Sequence, residues 1–145
     1  MKSARYHACM HWMILAGLLI GGEFQDADAN GVRSRDPLVL VFSRTLGFRH
    51  DSIEAGAQAI KELGEEMAFR VEATEEAGQF TAENLARFRA VVFLNTTGDV
   101  LDDEQQAAFE AYIRKGGGFA GVHSATDTEY DWAWYGTLVG ARFLS

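Results

Sequence analysis

Two histidines in this sequence, His50 and His123, each come shortly after an apolar run. Imidazole is the side chain whose ordinary pKa lies closest to neutrality, so it can both accept and donate a proton there. Asp127 lies just beyond His123 and offers a carboxylate that can orient a ligand hydroxyl. We predict His123 as a catalytic general acid/base and His50 as a second acid/base or hydrogen-bond partner. The alternative for each histidine is a structural role with its nitrogens hydrogen-bonded inside the protein.

Small residues flank His123 in the segment Gly121-Val122-His123-Ser124-Ala125. This pattern is typical of a sharp strand-to-helix elbow that exposes one reactive side chain. The backbone N–H groups of residues 124–126 would then face an anion or a developing oxyanion. A plain strand end remains the alternative.

Other polar and aromatic side chains follow predicted strands or cluster near the C-terminus, and we predict that they bind substrate. They are Arg44, Phe48, Asn95, Thr96, Ser124, Asp127, Trp134 and Tyr135. Residues 130–135 hold four aromatic rings, whose faces suit sugar rings. Aromatic rings are equally good core residues, so core packing is the competing interpretation of this segment.

We predict no cofactor. Residues 116–121 spell G-x-G-x-x-G, but they follow a helix and enter a strand, the reverse of a dinucleotide fingerprint. His50, His123 and Asp127 would suit a metal ion, yet they come from separate loops and lack H-x-x-x-H spacing. The one cysteine, Cys9, belongs to the N-terminal leader, so the remaining chain has no thiolate nucleophile.

Strands and helices alternate along the chain and would position these residues. The apolar run 38–42 predicts a strand buried on both faces, whereas residues 69–74 alternate and predict a strand nearer an edge. Further strands are predicted at 90–94 and 119–122. The order βαβαβαβ with short connections predicts an α/β fold with a parallel sheet and helices on both faces. Ligands of such sheets bind at the carboxyl ends of the strands.

Three helices are predicted between these strands. Asp51 or Ser52 can cap the first, whose apolar face is formed by Ile53, Ala57, Ile60, Leu63 and Met67. Thr81 can cap a short helix that runs to Phe88. Asp102 and Gln105 have the spacing of a capping box at the start of the third helix.

The first 29 residues are predicted to be a secretory signal peptide. They combine Lys2 and Arg5 with the apolar run 13–20 and the small-residue site Ala27-Asp28-Ala29. A membrane anchor is disfavoured because a span needs about 20 apolar residues. We expect an exported protein, periplasmic or secreted, with a linker at 30–37 and the folded domain at 38–145. The net charge of −8 argues against nucleic-acid partners.

Linked motifs resemble those of ThuA-like (trehalose-utilisation) proteins over residues 38–145. They are VFSRT at 41–45, GFRHDSI at 47–53, GGGFAGVHSATD at 116–127 and YDWAWYGTLVG at 130–140. The resemblance implies a class I glutamine-amidotransferase-like fold, which is a flavodoxin-like three-layer sandwich around a parallel sheet. That superfamily carries a catalytic cysteine at the elbow, whereas this chain has His123 there, so glutaminase chemistry is not expected. The family implies action on disaccharides or keto-sugars.

Members of that family continue past the residues that match 143–145, with a His-Pro pair and further strands. We therefore expect a C-terminally truncated, partial ThuA-like domain at 38–145. Three functions stay open: an exported sugar-directed enzyme using histidine acid/base chemistry, a non-catalytic carbohydrate- or partner-binding module, and an inactive truncated fragment. Without a later strand, the sheet edge at 119–122 would stay uncovered, which predicts self-association.

Overall fold

The computed structural model describes residues 35–143. The predicted signal peptide and most of the predicted linker lie outside this range. The elements in chain order are β1 (Leu38–Phe42), α1 (Ile53–Met67), β2 (Arg70–Thr74), α2 (Ala82–Leu85), β3 (Ala90–Leu94), α3 (Asp103–Arg114), β4 (Gly118–Val122) and α4 (Ala133–Val139), with 3-10 turns at Ala77–Gln79 and His123–Asp127. Across 35–143, every helix is too short or too polar to cross a bilayer.

The four strands form one parallel sheet in the order β2-β1-β3-β4. Val39 of β1 pairs with Val71 of β2 on one side and with Ala90 of β3 on the other. Val91 of β3 in turn pairs with Phe119 of β4. The predicted α/β class and parallel sheet are confirmed, and the alternating strand β2 does lie at an edge.

Neighbouring residues of β3 face opposite layers, because side chains alternate along a strand. The ring of Phe93 packs within 6 Å of five other rings, those of Phe42, Phe80, Phe109, Phe119 and Tyr135. Leu94 points the other way and meets α1, where a Cβ on Gly56 would lie 3.0 Å from its Cδ1. Helix α1 therefore covers one face of the sheet, and α2, α3 and α4 cover the other.

Helix α1 buries the predicted face only in its first half, where Ile53 is buried and Ala57 and Ile60 are half-buried. Leu63 and Met67 are exposed rather than buried, and the helix approaches its neighbours through Gly56 and Gly64. A Cβ on Gly64 would lie only 2.6 Å from the carbonyl oxygen of Phe69, so this close approach requires glycine. The hydrophobic pattern misplaced the C-terminal half of this face because a glycine, which it does not count, makes the contact there.

The helix caps and ends agree with the prediction in part. Asp102 and Gln105 form the predicted capping box, and Thr81 accepts a hydrogen bond from the backbone of Asn84. Ser52 stands at the N-cap of α1 but makes no capping hydrogen bond. Helix α2 ends at Leu85 instead of Phe88, because its last turn tightens into i→i+3 hydrogen bonds before β3 begins.

One edge of the sheet is formed by β4, which pairs with β3 alone in the described part of the chain. Val122 at the end of this strand is 38% exposed, and β4 carries no charged residue. An unpaired, uncharged edge strand offers free N–H and C=O groups to another chain.

We expect the 145-residue protein to self-associate through this edge. Size-exclusion chromatography with light scattering should give a mass above that of one chain, and the mass should rise with protein concentration. A single monomeric species whose thermal melt is independent of concentration would contradict the prediction. Replacing Ala120 with Lys, which places a charge on the edge strand, should return the protein toward the monomer.

Candidate functional site

A pocket of about 470 Å³ opens at the carboxyl ends of β1 and β4, where a parallel sheet is expected to bind ligands. Its volume falls within the range of roughly 300–1,000 Å³ that small-molecule sites occupy. The lining residues come from the loop after β1, the turn after β4 and the end of the described chain. They are Phe48, His50, His123, Ser124, Thr126, Asp127 and Phe143.

The two predicted catalytic histidines contact each other in this pocket. The ring centroids of His50 and His123 lie 4.5 Å apart in an edge-to-face arrangement. Phe48 also packs against His50, with the two ring centroids 4.9 Å apart. The topology thus brings residues that are distant in sequence into one cluster of three rings. Because both imidazoles line the same pocket, both can contact one ligand.

The loop that carries His50 is held by Thr97, which follows β3. The Thr97 hydroxyl accepts a hydrogen bond from the Gly47 N–H at 3.2 Å and donates one to the Phe48 carbonyl at 2.9 Å. The Thr97 carbonyl also accepts from the Leu46 N–H at 2.8 Å. On the outer side, Arg49 bridges two carboxylates of α1 and the loop after β2 through exposed ion pairs. The backbone before His50 is therefore fixed to the neighbouring strand end.

His123 occupies a sharp turn directly after β4. Its φ of +51° lies in the left-handed region that is uncommon for residues other than glycine. The next residues form a 3-10 turn, in which the Thr126 hydroxyl contacts the His123 carbonyl at 3.4 Å. The close packing of Gly121 against Ala125, with a Cβ on the glycine only 3.1 Å from that of Ala125, allows this turn. The predicted elbow is present, and it exposes the imidazole.

Ser124 presents a hydroxyl whose hydrogen-bonding capacity is unused. The residue is 8% exposed, and among residues 35–143 its Oγ has no hydrogen-bond partner. A buried polar group without a partner costs free energy, so such a group in a pocket suggests that a ligand is its partner. Asp127 also lines the pocket, and its Oδ1 accepts a hydrogen bond from the Tyr130 hydroxyl at 2.8 Å. That hydrogen bond raises the pKa of the Tyr130 phenol above its ordinary value.

Five residues predicted to bind substrate lie outside the pocket lining. Thr96 and Tyr135 are fully buried, so their predicted contact with a ligand needs correction. Thr96 instead hydrogen-bonds Thr128, and Tyr135 donates to the Ala125 carbonyl. Burial raises the pKa of the Tyr135 phenol.

The remaining three predicted residues, Asn95, Trp134 and Arg44, also lie outside the pocket lining. Asn95 is buried with a φ of +52°, and its amide donates to the Ser52 hydroxyl at 2.8 Å. Trp134 packs against Trp132 and Phe109 in the aromatic core, which the sequence offered as the alternative. Arg44 is half-buried on the loop after β1 and does not line the pocket.

The chemistry of the pocket is that of imidazole, hydroxyl and carboxylate groups. Within the described range, no three His, Cys, Asp or Glu side chains come together as a group that could hold a metal ion. Two adjacent imidazoles beside an unpaired hydroxyl are suited to moving protons to and from a bound ligand.

Sequence reasoning missed two lining residues and two supporting ones. Thr126 and Phe143 line the pocket, and Thr97 and Glu129 fix the loops around it. Thr126 lies in the segment 123–127 directly after β4, and this position after a strand could have indicated it as a lining residue. Phe143 reaches the pocket because its N–H donates to the Thr126 carbonyl, a contact that no local pattern indicates.

Comparisons with known proteins agree with this fold. The family model ThuA, described as trehalose utilisation, matches residues 38–145. No curated protein matches the chain. A crystal structure of a ThuA-like protein from Bacteroides uniformis aligns with a TM-score of 0.60 at 22% identity, over 74% of this chain and 45% of that one. This likeness shows a shared fold, and the chain spans less than half the length of that protein. On the match of the family model, the chain belongs to the ThuA family.

Proposed function

We propose that this protein is a sugar-directed enzyme that moves a proton next to the carbonyl of a keto-sugar, including a keto-disaccharide. The observation that carries the proposal is the contact between His50 and His123 in an open pocket. Two imidazoles side by side can serve as base and acid in one proton transfer.

The walls of the pocket favour a sugar as ligand. Phe48 is 70% exposed and Phe143 is 58% exposed, and both line the pocket. Exposed aromatic faces suit the C–H faces of sugar rings, and the hydroxyls of Ser124 and Thr126 suit sugar hydroxyls. The family description, trehalose utilisation, points to the same ligand class.

The proposed step is proton abstraction from the carbon beside the carbonyl. His123 takes the proton, and the electron pair of the broken C–H bond forms the C=C bond of an enediolate. The carbonyl oxygen takes up the negative charge, which the Ser124 hydroxyl stabilises by donating a hydrogen bond and His50 neutralises by donating a proton. Asp127 accepts a hydrogen bond from a sugar hydroxyl and fixes the ring. His123 then exchanges its proton with solvent and returns one to the carbon, while His50 takes back the proton from the enediol oxygen, so the carbonyl is restored and the exchange is complete.

Export forms part of the same proposal. It depends on residues 1–29, where two basic residues precede the apolar run and a small-residue cleavage site follows it.

A second candidate is a module that binds a carbohydrate without transforming it. The exposed rings of Phe48 and Phe143 favour it, since stacking alone holds a sugar in many binding sites. The two candidates differ in one respect: only the enzyme exchanges protons of the bound sugar with solvent.

Deuterium exchange tests the proposed reaction. The 145-residue protein is incubated in D₂O with fructose, a keto derivative of trehalose or trehalose itself, and proton NMR follows each sugar signal. We expect loss of the signal from the carbon beside the carbonyl of a keto-sugar, and no loss with trehalose, which has no carbonyl. Retention of every keto-sugar signal, with binding still detectable, would favour the binding module.

A further inference from the structure

Glu129 is a carboxylate in the interior, with 0% of the residue exposed. Its Oε1 accepts hydrogen bonds from the N–H groups of Val100 and Leu101 at 2.8 and 2.7 Å. Its Oε2 accepts a third from the amide of Gln106 at 2.7 Å. Buried carboxylates are rare unless they are paired, and this one is paired entirely with neutral donors. The side chain thus supplies the hydrogen-bond acceptor that two buried backbone N–H groups would otherwise lack.

Backbone contacts of Glu129 reinforce this attachment. Its φ is +55°, its N–H donates to the Gly98 carbonyl at 3.1 Å, and its carbonyl accepts from Arg142 at 2.8 Å. The preceding residue, Thr128, hydrogen-bonds both Thr96 and the carbonyl of Ser124. A strained backbone that is held by so many contacts is typical of positions that support a functional site.

The loop at 96–101, which Glu129 binds through the N–H groups of Val100 and Leu101, contacts the segments that carry both histidines. Gly98 donates to the carbonyl of Asp127 on the side of His123. On the side of His50, a Cβ on Gly98 would lie 3.2 Å from that of Leu46, and its φ of +79° also requires glycine. Thr97, one residue earlier, holds the backbone of Phe48. The loop at 96–101 is therefore the common support of both imidazoles.

We infer that Glu129 is a positioning residue, which locks the loop at 96–101 onto the turn at 123–129 and so sets the spacing of His50 and His123. The inference rests on the proposed function only for its catalytic consequence. The geometric part concerns the two imidazoles, whatever ligand they bind.

The carboxylate is suited to this role because it offers only acceptors to three donors. Burial raises the pKa of Glu129, and the nearby charge of Asp99 adds to that, while the three hydrogen bonds oppose it. Gln keeps one acceptor oxygen for the two backbone N–H groups, and the amide of Gln106 can turn to accept from the new NH₂ group. Ala removes both acceptor oxygens and with them all three hydrogen bonds, and it leaves two backbone N–H groups unpaired.

The test compares Glu129→Ala and Glu129→Gln in the 145-residue protein, with Leu85→Ala as a matched control. Leu85 is the last residue of α2, is fully buried and does not line the pocket, so its truncation destabilises the fold without touching the loops. Long-range ¹H–¹⁵N spectra report the imidazoles of His50 and His123. We expect displaced imidazole signals in Glu129→Ala, near-normal signals in Glu129→Gln, and unchanged signals in Leu85→Ala despite a lower melting temperature.

Proton exchange of the keto-sugar should fall about 10²-fold in Glu129→Ala, as expected when catalytic groups move by about 1 Å. Imidazole signals that are unchanged in Glu129→Ala, or displaced equally in Leu85→Ala, would overturn the inference. If Glu129→Ala does not fold, amide hydrogen exchange of the unmodified protein decides: Val100 and Leu101 should exchange as slowly as the amides of β3, and fast exchange would overturn it. Inactivity of the unmodified protein would instead contradict the proposed function and leave the imidazole readout intact.

Discussion

Replacing His123 with Ala is expected to reduce proton exchange of a keto-sugar by about 10²- to 10⁴-fold, the usual contribution of a general acid or base. His123 projects from the elbow after β4 into the pocket, and its imidazole is the group that we assign to abstract the proton. The aromatic walls at Phe48 and Phe143 remain, so affinity for the sugar should survive. The measurement is the rate of deuterium incorporation by NMR, with affinity determined separately by calorimetry.

A matched control and a partner variant sharpen this result. Glu83→Gln changes an exposed side chain on α2 and should leave the exchange rate unchanged. His50→Gln should lower the rate as well, because the enediolate then lacks its proton donor. An exchange rate in His123→Ala equal to that of the unmodified protein would contradict the assigned role. Loss of affinity together with activity would instead favour a binding role for the imidazole.

Replacing Phe93 with Ala is expected to lower the free energy of unfolding by about 3–5 kcal/mol, the range for loss of a buried aromatic ring. Phe93 is fully buried at the centre of the sheet and contacts rings from β1, α3, β4 and α4. Its removal leaves a cavity that so many elements cannot all collapse to fill.

Urea denaturation measures this loss, and Leu63→Ala is the control. Leu63 is an exposed apolar residue on α1, so its replacement should change the free energy by less than about 0.5 kcal/mol. Equal m-values would show that the change is one of stability. A loss for Phe93→Ala as small as that of the control would contradict the assigned core.

The strands and their alternation with helices along the chain could be predicted because they depend on local patterns. The apolar run at 38–42 and the alternation at 70–74 separate an interior strand from an edge strand. The capping box at Asp102 and Gln105 fixes the start of α3 within one turn. Since parallel strands end at the same edge, the topology placed His50 and His123 at one edge of the sheet. Their ring contact depends on how the loops fold and could not be predicted.

Side-chain direction and long-range support could not be predicted. Thr96 and Tyr135 follow or neighbour the expected site in sequence, but each points into the core, which depends on the twist and packing of the whole sheet. The residue type of Glu129 predicts a surface position, since glutamate is almost never fully buried without partners. Its partners, Val100 and Leu101, are defined only when the loops after β3 and β4 come together.

The measurement that tests the central claim most directly is a titration of the two imidazoles with a keto-sugar, observed in long-range ¹H–¹⁵N spectra. If the pocket between His50 and His123 is the ligand site, both sets of signals should move together along one saturating curve. The indole signals of Trp132 and Trp134, which lie in the aromatic core, should stay in place. Imidazole signals that do not respond while the sugar binds elsewhere would contradict the account.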